Sequence, residues 1–124
     1  MALTESQITN ISVLLNTFHG FHKTRRRQGL YISHCFVLLA CTVLEASNRG
    51  ISEGAVRNIL TMFHGNKLSY LFRFLSERGY LVFTRSDKRG KYYTLTDKGR
   101  ETTSLLLDGI EARQVAFYNK YLGK

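Results

Sequence analysis

The chain has 124 residues, 44% hydrophobic and 22% charged, and its 18 Lys and Arg against 9 Asp and Glu give a formal charge of +9. That describes one globular domain burying about two-thirds of its unfolded surface, not a disordered segment. A bilayer span needs about 20 apolar residues, whereas the longest run, Cys35 to Leu44, has ten with Thr42 inside it.

In chain order, Thr4 and Gln7 are spaced as a capping box and open a first helix, with Leu3 and Ile8 placed as a hydrophobic staple. Ile8, Ile11, Leu14, Leu15 and Phe18 then recur at helical spacing to about Phe21. The polar, basic stretch Lys23 to Gly29 reads as a linker. A second helix, about Ser33 to Ala46, is apolar on most sides and central to the core. Asn48-Arg49-Gly50 stops it, and Ser52 caps a short third helix with Ala55, Val56, Ile59 and Leu60 inward. Thr61 to Gly65 is a turn. A fourth helix, about His64 to Arg78, places Leu68, Leu71, Phe72 and Leu75 on one face, and Gly79 ends it. Tyr80 to Arg85 and Lys91 to Thr96 are β-branched and aromatic, so they form a hairpin around Ser86-Asp87-Lys88-Arg89-Gly90. Asp97 or Thr96 caps a last helix to about Leu122. Leu106, Ile110, Phe117 and Tyr121 make a seam along it, and Gly109 is the place for a bend.

The charge is localised. Residues 61–100 hold nine basic side chains against Glu77, Asp87 and Asp97, and residues 1–30 hold Lys23, Arg25, Arg26 and Arg27 against Glu5. The other two segments are balanced. Blocks of this kind point to a polyanionic partner, nucleic acid before membrane. Arg25-Arg26-Arg27 reads as a solvated linker before it reads as a phosphate-binding arm.

Helix, short helix, turn, helix and hairpin is the order of a winged helix-turn-helix, a mainly α fold with a small β-hairpin. The major groove admits one α-helix, and the preceding helix crosses the backbone and holds it there. On the fourth helix Asn66, Lys67, Ser69, Tyr70 and Arg73 face outward, types that bond base edges and phosphates. The hairpin adds Arg85, Lys88, Arg89 and Lys91, and an arginine at such a tip suits a narrow minor groove. Cys35 and Cys41 read as buried small hydrophobes rather than reactive thiolates. His19 and His22 lack a third metal ligand. No catalytic triad, metal set or phosphate loop is present, so the chain is not expected to be an enzyme or to hold a cofactor.

Asp87-Lys88-Arg89, then Leu95-Thr96, then Gly99, matches the DxR…LTxxG pattern of the MarR (multiple antibiotic resistance regulator) family. Leu75-Ser76-Glu77-Arg78-Gly79-Tyr80-Leu81 is similar to that family's step from recognition helix into wing. LTxxG alone is shared with PadR-type regulators. The resemblance covers residues 68–100 closely and the rest by helix order. It implies a winged-helix core over about 31–96 within one domain, 1–124, flanked by dimerisation helices over about 4–22 and 97–122. It implies a cytoplasmic homodimeric regulator, a repressor, on a pseudo-palindromic DNA operator, with any small-molecule effector left open. Arg89 would lie at the minor groove, with Asp87 orienting it by a charge-assisted hydrogen bond. Ile11, Leu15, Phe18, Leu106, Ile110, Phe117 and Tyr121 would form the dimer seam. Two departures stand out: the wing between Gly79 and Asp87 is short by about two residues, and the C-terminal region has room for one long helix. The rival reading is a winged-helix module for non-specific nucleic-acid binding or protein interaction.

Overall fold

The structure is a computed structural model that describes residues 2–63 and 65–123, with the side chain of Phe18 outside the described part. The expected start of the fourth helix at His64, and the role of the Phe18 side chain, therefore lie outside the described residues. The elements are α1 (Glu5–Gln28), α2 (Ile32–Ala46), β1 (Ile51–Ser52), α3 (Glu53–Ile59), α4 (Lys67–Glu77), β2 (Leu81–Asp87), β3 (Gly90–Leu95) and α5 (Asp97–Phe117). A π-helical turn, Tyr118–Leu122, takes the place of the last α-helical turn expected there.

Local caps explain most boundaries. Gln7 N–H donates to Thr4 Oγ1 at 3.1 Å, and Gln7 Oε1 accepts from Thr4 N–H at 2.9 Å, completing the capping box. Ala55 N–H donates to Ser52 Oγ at 3.1 Å. Gly79, at φ 82°, leads the chain out of α4 in the left-handed region that favours glycine.

The expected linker Lys23 to Gly29 is instead the end of α1. Nothing before Gly29 breaks the helix, since the chain has no proline and Gly29 is the first residue in the left-handed region, at φ 67°. Leu30 N–H then closes the end on Arg25 O at 2.8 Å, and Arg25, Arg26 and Arg27 in the last turn favour the negative end of the helix dipole.

The described residues fall into two compact units, one of residues 33–103 and one of residues up to 32 together with those from 104 on. The first unit holds most of the core. Cys35, Val37, Leu38 and Cys41 of α2, Val56 of α3, and Leu68, Phe72 and Leu75 of α4 are buried. Burial, and secondarily the charge of Glu45, pushes the Cys41 thiol up to about 12, so it behaves as the small hydrophobe expected. The Phe74 ring stacks on the His34 imidazole at 4.1 Å and has the Arg78 guanidinium 4.7 Å from its centre.

The sheet of this unit has three antiparallel strands in the order β1-β3-β2. β1 has only two residues, too few for alternation to show in sequence. The hairpin loop is shorter than expected: Ser86 pairs with Lys91 and Asp87 with Gly90, leaving Lys88 and Arg89 as the turn.

In the second unit Gly20 and Gly109 allow a close backbone approach. A Cβ on Gly109 would fall on the Gly20 carbonyl oxygen, and one on Gly20 would lie 2.5 Å from the Ile110 nitrogen. Gly109 thus serves this close approach from within α5.

Candidate nucleic-acid interface

α4 is short, and its amphipathic sequence fixes which side chains it presents. Leu68, Leu71, Phe72 and Leu75 are buried at i, i+3, i+4 and i+7. Asn66, Lys67, Tyr70 and Arg73 are therefore on the open side and are exposed, Tyr70 by 63%. The Arg73 guanidinium lies 5.8 Å from the Tyr70 ring centre. Ser69 is only half-exposed, and its hydroxyl donates to Glu53 Oε2 at 2.9 Å. Its proton is thus committed to α3. Glu53 is a member of this surface that the sequence did not single out, because an acid in the first turn of a helix is ordinary on dipole grounds alone.

The wing cations divide between two faces. Cross-strand partners share a face and successive residues alternate. Lys91 and Tyr93 share one face of β3, and the Tyr93 ring is 5.0 Å from Phe72 of α4, so Lys91 belongs to the α4 side. Arg85 pairs with Tyr92 on the other face, its guanidinium 4.0 Å from the Tyr92 ring centre. There it joins Glu45, Arg49 and Arg100 around a groove of about 520 Å³. Simple alternation would put Arg85 with Phe83, which pairs with Tyr93. The register shift between Phe83 and Arg85 turns it over, a β-bulge at Thr84. Thr84 Oγ1 donates to Tyr92 O at 3.2 Å across it.

Asp87 does not orient the Arg89 guanidinium in the way the resemblance implied. Its Oδ1 accepts the Arg89 backbone N–H at 2.8 Å, and its Oδ2 accepts from Arg85 Nη1 at 3.0 Å. The Arg89 N–H first, and then Arg85, hold the Asp87 carboxyl below the usual carboxylate range. The carboxylate therefore shapes the turn and anchors Arg85, leaving Lys88 and Arg89 exposed at the tip.

The LTxxG residues have a structural task beside α4. Leu95 is buried. Thr96 Oγ1 accepts Gly99 N–H at 3.1 Å, which makes Thr96 the cap of α5, and donates to Gly79 O. A Cβ on Gly99 would meet the Tyr80 carbonyl oxygen. The motif ties the exit of α4 to the start of α5.

The residues expected at a dimer seam separate. Ile11, Leu15 and Tyr121 are exposed, by 43%, 56% and 62%. Phe117 is half-buried, its ring 5.0 Å from that of Tyr121. Ile110 is half-buried and Leu106 is fully buried within the protomer, so Leu106 has no surface to offer a partner. Among the described residues no group of three or more His, Cys, Asp or Glu is placed to hold a metal ion. No single helix there is long and apolar enough to cross a membrane.

No family model matches the chain. It is 32% identical over 88 residues to the HTH-type transcriptional regulator Hpr of Bacillus thuringiensis (strain Al Hakam), a match covering 69% of this chain and 44% of that protein. The chain thus spans less than half the length of such relatives. In fold it is similar to a transcriptional regulator (MarR family) from Rhodococcus sp. RHA1, with a TM-score of 0.63 at 23% identity, covering 90% of this chain and 75% of that one. Reduced AbfR bound to DNA is similar with a TM-score of 0.60 at 25% identity, covering 83% and 70% of the two chains.

Proposed function

We propose that this chain, which has the MarR-type winged helix-turn-helix fold, is a cytoplasmic, sequence-specific DNA-binding transcriptional regulator and not an enzyme. The observation that carries this reading is the open face of α4, where Asn66, Lys67, Tyr70 and Arg73 are exposed together over a buried apolar face in the unit that also bears the wing. Such a helix suits the major groove, with Arg89 and Lys88 at the exposed wing tip for the minor groove and Lys91 on the α4 side of the wing. The regulator acts as a homodimer through α1 and α5, which places two recognition helices about 34 Å apart on one side of the duplex. The uncovered apolar side chains Leu14, Leu15, Val115 and Tyr121 support that assembly. Repression follows where the operator overlaps a promoter.

Selection of bound duplexes from a random pool at about 150 mM salt tests the reading. Enrichment of a pseudo-palindrome is expected. Retention without enrichment would leave a non-specific binder, and no retention would transfer the role to a protein partner.

A further inference from the structure

The α4 side of residues 33–103 carries a carboxylate that lines two of its grooves. Glu53, the first residue of α3, is flanked by two grooves. One, of about 420 Å³, is lined by Glu53 with Arg57, Arg89 and Lys91. The other, of about 460 Å³, is lined by Glu53 and by a second acid, Glu77, with Ser69, Arg73 and Lys91. Glu53 is thus the acid that both grooves share, between recognition helix and wing. Its Oε2 holds the Ser69 hydroxyl at 2.9 Å, and its other oxygen accepts no hydrogen bond among the described residues. Helix-dipole stabilisation explains an acid at the start of α3. It does not explain a bond from α4 or a position among four cations.

Resting on the DNA-binding reading above, we propose that Glu53 is a specificity-determining residue, whose charge penalises every duplex except one seated so that a base-edge donor meets the carboxylate. The cations attract phosphate without regard to sequence. A fixed anion among them repels a backbone that slides into either groove, and the cost of removing it from water is offset only by a donor such as the cytosine amino group. Discrimination then arises from weakened binding of wrong duplexes as much as from contacts to the right one. Ser69 is the positioning residue, since it holds the carboxylate in place.

The test compares the dissociation constants of the full chain for its selected operator and for a random duplex at matched salt, in the wild-type protein and in Glu53→Gln. Glutamine retains an oxygen for Ser69 and loses the charge. The ratio of the two constants is expected to fall by about threefold or more, chiefly through tighter binding of the random duplex. A ratio changed by less than that would overturn the proposal and leave Glu53 as a tie between α3 and α4. Glu53→Met, uncharged and of similar length, must give the same fall, and provides the measurement if the glutamine variant folds poorly. A wild-type protein that binds no duplex, or binds all alike, overturns the DNA-binding reading itself and this proposal with it.

Discussion

The two units of the chain bury their apolar side chains in different proportions. In residues 33–103, α2, α3, α4 and the sheet converge on shared buried positions, and the surface around α4 and the wing tip is largely polar and basic, with Val43, Ile59, Met62, Val82 and Phe83 exposed as separate apolar side chains. In the other unit the buried apolar side chains among the described residues are Phe21, Leu30 and Leu106, while Leu14, Leu15, Leu105, Leu107, Val115 and Tyr121 are each at least 45% exposed. One unit holds most of the buried core. The other presents apolar surface of the kind that a second protein surface covers. Buried polar side chains occur in both units: His34, Thr102 and Thr103 in residues 33–103, and Ser12 and Asn16 of α1 in the other, where Asn16 Nδ2 donates to Ser12 O and to Gln114 Oε1.

The sharpest way to break this contrast is inside residues 33–103. Phe72 is 1% exposed, with the Tyr93 ring 5.0 Å away, and Phe72→Ala should cost about 3–5 kcal/mol of unfolding free energy in urea melts. A cost near zero would mean that the unit is not held by this core. Next comes Leu14, 64% exposed on α1. If the proposed homodimer forms through α1, Leu14→Arg should raise its dissociation constant roughly a hundredfold, about 3 kcal/mol, by burying an unpaired charge. Sedimentation at several concentrations reads it, and an unchanged dimer would move the interface elsewhere.

The wing offers a finer comparison. Arg89→Ala should weaken operator binding by about 1–3 kcal/mol. Arg85→Ala should cost less than about 1 kcal/mol, because Arg85 is a partly exposed ion pair on the face turned from α4. Equal losses would show that both faces of the wing reach DNA.

The smallest effect is the response to pH. Burial, and then the Arg78 charge, hold the His34 imidazole below its usual range, so the folded state favours the neutral ring. Its contribution is present above the unfolded value of about 6.5 and is lost as pH falls below it toward the folded value. The thermal midpoint should drop between about pH 7.5 and pH 5.5, and His34→Gln should flatten the slope. An identical slope in the variant would assign the effect to other groups.

What sequence made legible was local. The capping box at Thr4, the Ser52 cap, the Gly79 exit and the inward row Leu68, Leu71, Phe72 and Leu75 each depend on residues within a turn or two of one another. Three features were not legible, two of them because they depend on distant partners. The bulge that turns Arg85 to the far face is set by pairing across the hairpin. Glu53 joins the surface of α4 through a residue sixteen positions away. The stop of α1 depends on Gly29 adopting the left-handed region, which a run of arginines hides by looking like a linker. The heptad-like spacing that includes Leu106 marks an apolar stripe, and the stripe alone does not say whether its own protomer already covers it, as it does Leu106.

The bulge also bears on how such a wing can change in evolution. Thr84 pairs with no residue of β3, so deleting it preserves every cross-strand partnership and leaves each charge on its present face. An insertion among the paired positions of either strand would instead exchange the faces of every residue beyond it, moving Lys91 away from α4 or Arg85 toward it. Length variation in this hairpin is thus tolerated at Thr84 and at the two-residue tip, while the paired positions between them can accept changes of residue type but not of residue number.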